Sequence, residues 1–200
     1  MSVEIYFVRH GETGGNIAKR HQQEDTHLSQ CGRKQAQKVA KKIAKIKPTH
    51  LYVSTRVRTL ETGQEIAKTT GLIPETSQIF VELKRPDYMY GHFHRSLKTG
   101  WYLFSWLRGK VGVEDLGEEG ESYSYFRSRL NEAKNFLESH KTGDRIVVVS
   151  HTVFITLFVA HLKKDRALNI FEAVYVYFKI KSLKNCSVTK LTFDGKDWYK

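Results

Sequence analysis

The chain has 200 residues, 40% of them apolar and 27% charged, with a formal charge of +12. That balance suits one soluble globular domain over residues 1–200 and excludes a disordered or fibrous chain. No apolar run approaches the about 20 residues of a membrane helix, and Glu4 stands where a signal peptide carries Lys or Arg, so a cytoplasmic protein with no membrane partner is expected.

The positive charge attracts anions of any kind, including nucleic acid, anionic lipid and phosphorylated metabolites. The lysines, however, are spread along the chain. Around Val39, Ile43 and Ile46 they occupy the solvent side of an amphipathic helix. No RNA-binding, zinc-finger or helix-turn-helix signature is present, so no nucleic-acid partner is expected. Cys31 and Cys186 lie far apart without a CxxC spacing, which argues for free thiols and against a disulfide framework or zinc site.

In chain order, residues 5–10 (IYFVRH) form a strand that ends abruptly in Arg-His-Gly. Gly32–Ile46 has helical periodicity and stops before Pro48. A second strand covers 50–54. A helix over Arg58–Thr70 closes at Gly71. Residues 83–120 read as irregular and rich in aromatics, a lid or insertion over a site. Within it, a helical stretch would stack Trp101, Phe104 and Ser105 on one face. Glu121–His140 is a long amphipathic helix, and Arg145–Ser150 (RIVVVS) is the clearest buried strand. Helices follow over 151–162 and 165–178. The C-terminal CSVTKLTFDGKDWY alternates apolar and polar residues around Asp194-Gly195, a hairpin pattern. Alternating strands and helices predict a three-layer α/β domain with a largely parallel sheet flanked by helices.

Three strand ends carry chemistry. At the first, RHGETGGN (9–16) combines a glycine-rich turn, whose amides suit an anion, with the Arg9 fork and the His10 imidazole, a nucleophile when neutral. RIVVVSH brings His151 to another strand end, and STRVRTLET brings Arg56 and Arg58 to a third. Ligands of open α/β sheets bind at such carboxyl ends.

These blocks together resemble the histidine phosphatase superfamily, also called the phosphoglycerate mutase-like family. RHGET with Asn16 is similar to its Arg-His-Gly-x-Thr-x-x-Asn signature. DTHLSQCGRKQA (25–36), STRVRTLET (54–62), GES (120–122), VVVSH (147–151) and the final NCSVTKLTFDG resemble its later blocks. The resemblance implies a phosphoglycerate mutase-like fold and a phosphatase that works without metal or cofactor. Its nucleophile is His10, which becomes a phosphohistidine. Arg9, Arg58 and His151 hold the phosphoryl oxygens, with contacts from Asn16 and Thr13. By position Glu82 is the proton donor, with Asp87 and Glu12 as runners-up. Bound phosphate nearby would raise that acid's pKa, while arginines would oppose the rise.

The sequence departs from the family pattern at Arg56 and from the family's mutases in two further ways. Arg56 stands where an apolar residue is usual, and either touches phosphate or faces solvent. LKRPDYMYG follows Glu82 in place of the Glu-Arg-His-Tyr-Gly run, and the chain is shorter, which favours hydrolysis over mutase chemistry. The expected partner is a small phosphorylated substrate or a phosphoprotein. A mutase-like phosphotransferase and a non-catalytic phosphate-binding module are the alternatives. Lys84, Arg85, His92, His94, Arg95 and Lys98 either meet a second anionic group of the substrate or are solvated loop charges.

Overall fold

A computed structural model describes residues 2–22, 25–94, 96–111, 120–164 and 166–200. Among them, the elements in chain order are β1 (Val3–Arg9), α1 (Gly14–Ala18), α2 (Gln30–Lys45), β2 (His50–Ser54), α3 (Val57–Thr70), β3 (Glu75–Ser77), α4 (Leu97–Leu107) and α5 (Tyr123–Glu138). They continue with β4 (Arg145–Ser150), α6 (Thr152–His161), α7 (Ile170–Ser182), β5 (Val188–Phe193) and β6 (Trp198–Tyr199).

The six strands form one sheet in the order β3-β2-β4-β1-β5-β6. The first four are mutually parallel, and β5 and β6 run antiparallel. β1 and β4, in the middle, are apolar almost throughout, as strands covered on both faces must be. On one face Tyr6, Val8, Val147 and Val149 pack with Val39 and Ile43 of α2 and Ile66 of α3. On the other, Ile5, Phe7, Ile146 and Val148 pack with Phe126 of α5 and Phe154 and Phe158 of α6. The three-layer arrangement therefore follows from which alternate residues of each strand point to which helices.

Helix starts are written locally. Ser29 accepts from the Gly32 amide and Ser122 from the Tyr125 amide, and Asn169 forms a reciprocal capping box with Glu172. That box starts α7 at Ile170, five residues later than the apolar pattern alone suggests. The interval 83–120 is also less irregular than expected. α4 lies inside it and buries Tyr102, Leu103, Trp106 and Leu107, while Trp101 is 74% exposed. The stack of Trp101, Phe104 and Ser105 is thus replaced by a face set one residue on, because Trp106 finds the Glu121 carbonyl as acceptor and packs on Tyr123 and Phe126.

Close backbone packing fixes the turn after β1. A Cβ on Gly32 would stand 2.0 Å from the Glu12 carbonyl oxygen, and one on Gly11 would stand 2.6 Å from the Gly32 carbonyl oxygen. The start of α2 therefore presses directly on the turn that carries His10. Gly32→Ala is expected to destabilise the fold by about 1–3 kcal/mol through backbone displacement. Urea unfolding measures this, and an unchanged midpoint would show that the turn tolerates the shift.

Candidate active site

The pairing of β1 with β4 sets Arg9 opposite Ser150. The next residue on each strand is therefore a histidine at the same level. Their rings lie 5.3 Å apart, and both side chains are buried. His10 Nδ1 lies 2.7 Å from the Gly11 carbonyl oxygen. A carbonyl only accepts, so Nδ1 carries the hydrogen and Nε2 keeps the lone pair. His151 Nε2 meets the Ser54 hydroxyl at 2.8 Å, and its Nδ1 is buried with no hydrogen-bond partner.

His10 lines a cleft of about 330 Å³ together with Arg9, Asn16, Arg58 and Glu82. Arg58 enters from the first turn of α3, and Arg9 from the end of β1. Arg9 Nη1 donates to the Leu183 carbonyl, which aims the guanidinium. Burial pulls Arg58 down to about 10 and lowers Arg9, yet both remain cationic at neutral pH. Burial first, then the charges of Arg58 and Arg9, hold His10 well below the ordinary histidine value. Burial and Arg58 do the same to His151. Both rings are thus neutral near pH 7, the state a nucleophile requires. Cys186, beside Arg9, is pushed up to about 12 by burial and is no thiolate at that pH.

Glu82 is the one carboxylate among the described residues lining the cleft. Its Oε1 accepts from the Leu83 and Phe154 amides at 3.0 and 3.2 Å, and Oε2 from the Val153 amide at 3.3 Å. The carboxylate thereby sits on the N-terminus of α6, one turn from His151. Of the runners-up, Glu12 is held by the Ser29 hydroxyl and Asp87 is exposed in a 3₁₀ turn; neither lines the cleft.

Of the expected phosphate contacts, His151 is buried against His10 and does not itself line the cleft, and neither does Thr13. Thr13 is fully buried, its hydroxyl taken by Gln22 and by the Asn16 amide as the cap of α1. It shapes the turn. Arg56 does not face solvent: it is 9% exposed and borders a small hollow with Arg58, Glu82 and Arg85.

Several cleft residues come from segments that the motifs do not cover, namely Lys19, His21, Arg85, His94 and Lys181. Lys19, Arg85 and Lys181 join Arg9 and Arg58, which sets five cationic side chains against one carboxylate. Residues 19–21 pair with 91–94 through an Arg20–Phe93 bridge, so the turn after β1 is tied to the covering segment. His92 and Lys98 are exposed and away from the cleft, and Arg95 lies outside the described residues. Asn185 donates to the His10 carbonyl and to Asn16 Oδ1. Arg129, on α5, pairs with Glu121 at 2.8 and 2.9 Å and donates to the carbonyls of Ile79 and Val81 at 3.0 and 2.7 Å. This buried pair fixes the backbone immediately before Glu82.

The model of the histidine phosphatase superfamily (branch 1) matches residues 5–200. Phosphoglycerate mutase-like protein 4 of Arabidopsis thaliana is 29% identical over 98% of this chain and 82% of its own length. The probable phosphoglycerate mutase GpmB of Erwinia tasmaniensis is 25% identical over 98% of this chain and 87% of its own. Among solved structures, a mycobacterial glucosyl-3-phosphoglycerate phosphatase complexed with VO3 superposes with a TM-score of 0.77 at 24% identity, covering 98% of this chain and 96% of that one. A mutant phosphoserine phosphatase from Entamoeba histolytica, in complex with phosphoserine, gives 0.76 at 23% identity over 98% and 94%.

The depressed histidines make stability depend on pH. His21 and His94 are lowered to about 2 and about 4, chiefly by burial and then by Arg85, and His10 and His151 lie well below 6.5. Above pH 6.5 these groups are neutral in both states, and their stability is fully present. As pH falls below 6.5 the unfolded chain takes up protons that the folded one refuses, and stability is lost down to the folded pKa values. Each such group adds up to about 1.4 kcal/mol per pH unit. Urea unfolding in phosphate-free buffer is expected to show a steep fall between pH 6.5 and 5, shallower in His94→Gln. A flat profile would contradict the burial of these rings as neutral groups.

Proposed function

Since the chain belongs to the histidine phosphatase superfamily, we propose that its cleft hydrolyses phosphomonoesters through a covalent phosphohistidine on His10. The observation that carries this reading is the tautomer of His10. Its Nδ1–H is committed to Gly11, so a lone pair on Nε2 stands in a cationic cleft. In the first step Nε2 attacks phosphorus and the P–O bond to the leaving group breaks. The leaving oxygen takes a proton from Glu82. The ring, now cationic, keeps its bond to the Gly11 carbonyl. In the second step water gives a proton to Glu82 and its oxygen attacks phosphorus. The P–N bond breaks and His10 returns to its neutral form with release of phosphate.

Arg9 and Arg58 neutralise the equatorial oxygens. His151, with its Nε2 accepting from Ser54, directs an Nδ1–H at the phosphoryl group, and Asn16 adds an amide. None of these steps calls for a metal. The surplus of cations at Lys19, Arg85 and Lys181 supports a small substrate with a second anionic group. The same surplus suits phosphoryl transfer to a second substrate, and relatives named as probable phosphoglycerate mutases favour that as the other reading.

Release of phosphate from an aryl phosphate in EDTA tests the proposal. Wild type is expected to be active, His10→Ala to lose all turnover above background, and Glu82→Gln to fall by about 10²–10⁴-fold. The Glu82→Gln deficit should shrink on aryl phosphates whose leaving groups need no proton. Activity that survives in His10→Ala would overturn the assignment. A wild type that transfers phosphoryl groups only to a second hydroxyl compound would establish the other reading.

A further inference from the structure

A second cavity, of about 760 Å³, lies behind the cleft between α6, α7 and the β5–β6 hairpin. It is larger than the cleft, at about 330 Å³, and within the about 300–1,000 Å³ of small-molecule sites. Its walls are apolar, with Ile155, Val159, Val176 and Trp198 among them. Lys163, Lys179 and Lys184 stand exposed around it. Lys164 also lines it and is held by Glu172, but among the described residues no Asp or Glu lines the cavity itself. Ser187 Oγ is buried there without a hydrogen-bond partner. Lys163 lies over the Tyr199 ring and Lys179 over the Tyr175 ring, contacts that leave their ammonium groups open to an anion. An apolar interior, a rim of lysines and a hydroxyl without a hydrogen-bond partner together select a ligand with an apolar body and an anionic head.

The wall between this cavity and the catalytic cleft is the segment 183–187. Leu183, Lys184 and Ser187 line the cavity. On its other side the same segment holds the catalytic turn. The Leu183 carbonyl accepts from Arg9 Nη1. Asn185 donates to the His10 carbonyl at 3.1 Å, the Cys186 amide to the Arg9 carbonyl at 3.0 Å, and the Arg9 amide to the Ser187 carbonyl at 3.1 Å. Cys186 has φ of 53°, a left-handed conformation that a side chain adopts only under constraint. Leu183 and Ser187 thus bond directly to Arg9, and Asn185 between them bonds to His10.

We propose that this cavity binds a soluble amphipathic anion, in class a medium-chain carboxylate, and that its occupancy changes the affinity of the catalytic cleft for phosphate through Leu183–Ser187. The apolar chain lies against Val159, Val176 and Trp198, and the carboxylate meets Lys163 and Lys179. Coupling of this kind is reciprocal, with each ligand changing the other's affinity by one factor.

Dodecanoate, below its micellar concentration, and inorganic phosphate serve as probes on the whole chain, with isothermal calorimetry as the readout. Inorganic phosphate reports on the cleft whether or not the enzyme hydrolyses esters. Dodecanoate is expected to bind saturably at one site, and dodecanol about tenfold more weakly. Combining Lys163→Glu with Lys179→Glu, both outside the 183–187 segment, should weaken dodecanoate about tenfold and leave phosphate binding alone unchanged. Val159→Trp, which narrows the cavity where the apolar chain lies, should weaken dodecanoate binding about tenfold or more. If that variant fails to fold by circular dichroism, the charge-reversal pair decides. Dodecanoate should shift the Kd of phosphate by about fivefold or more, with the same factor in reverse. Absence of saturable binding would overturn the proposal. So would unweakened binding in folded Val159→Trp, which would place the probe on the exposed Phe171 and Phe178 of α7. Binding that leaves phosphate affinity unchanged would overturn the coupling.

Discussion

The parallel pairing of β1 with β4 is the contact on which the site depends. It is made by apolar side chains buried on both faces, and its register sets Arg9 against Ser150. Both strands end at one level, and each delivers a histidine to the same crevice. β2, paired to the far edge of β4, ends at Ser54, whose hydroxyl reaches His151. A slip of one residue would turn His10 to the other face of the sheet and part it from His151. Hydrophobic packing thus sets the spacing of two imidazoles that make no direct hydrogen bond to each other.

Charge burial is the second constraint. Arg9 and Arg58 are largely withdrawn from water, and Glu82 is the carboxylate that offsets them. An incoming dianion would complete a balance that the protein alone leaves positive. The histidines remain neutral because burial and the arginines act on them in the same direction. The Arg129–Glu121 pair has a different task. It is buried, its donors are spread over a carboxylate and two carbonyls, and it holds the backbone that leads into Glu82. A buried pair of this kind contributes position more than stability.

Much of this was legible in the sequence, and what was missed has physical reasons. Buried strands such as RIVVVS declare themselves by continuous apolar runs, and the residue after such a run falls at a ligand-facing edge. Arg9, His10, Arg58 and Glu82 were found in that way or through the family blocks, and all line the cleft, while His151 lies against His10. β3 was missed because Glu75-Thr76-Ser77 is a short, largely exposed edge with no apolar signal. Thr13 entered through the family signature, which does not show that its hydroxyl is engaged by Gln22 and the Asn16 amide. Lys19, His21 and Lys181 are brought to the cleft by tertiary contacts between distant segments, and no local pattern marks them; Asn185 opens the final family block, but its bonds to His10 and Asn16 are tertiary. Asn169 and Glu172, by contrast, carried a readable capping-box signal for the start of α7.

The central claim is that His10 Nε2 carries the phosphoryl group during turnover. Rapid acid-free quenching of the enzyme with a ³²P-labelled phosphomonoester, followed by peptide mapping, tests it most directly. The account predicts label on the peptide containing His10, stable to alkali, labile to acid and absent from His10→Ala. Turnover without any trapped label in Glu82→Gln, where breakdown of the intermediate is slowed, or label recovered on another residue, would contradict it.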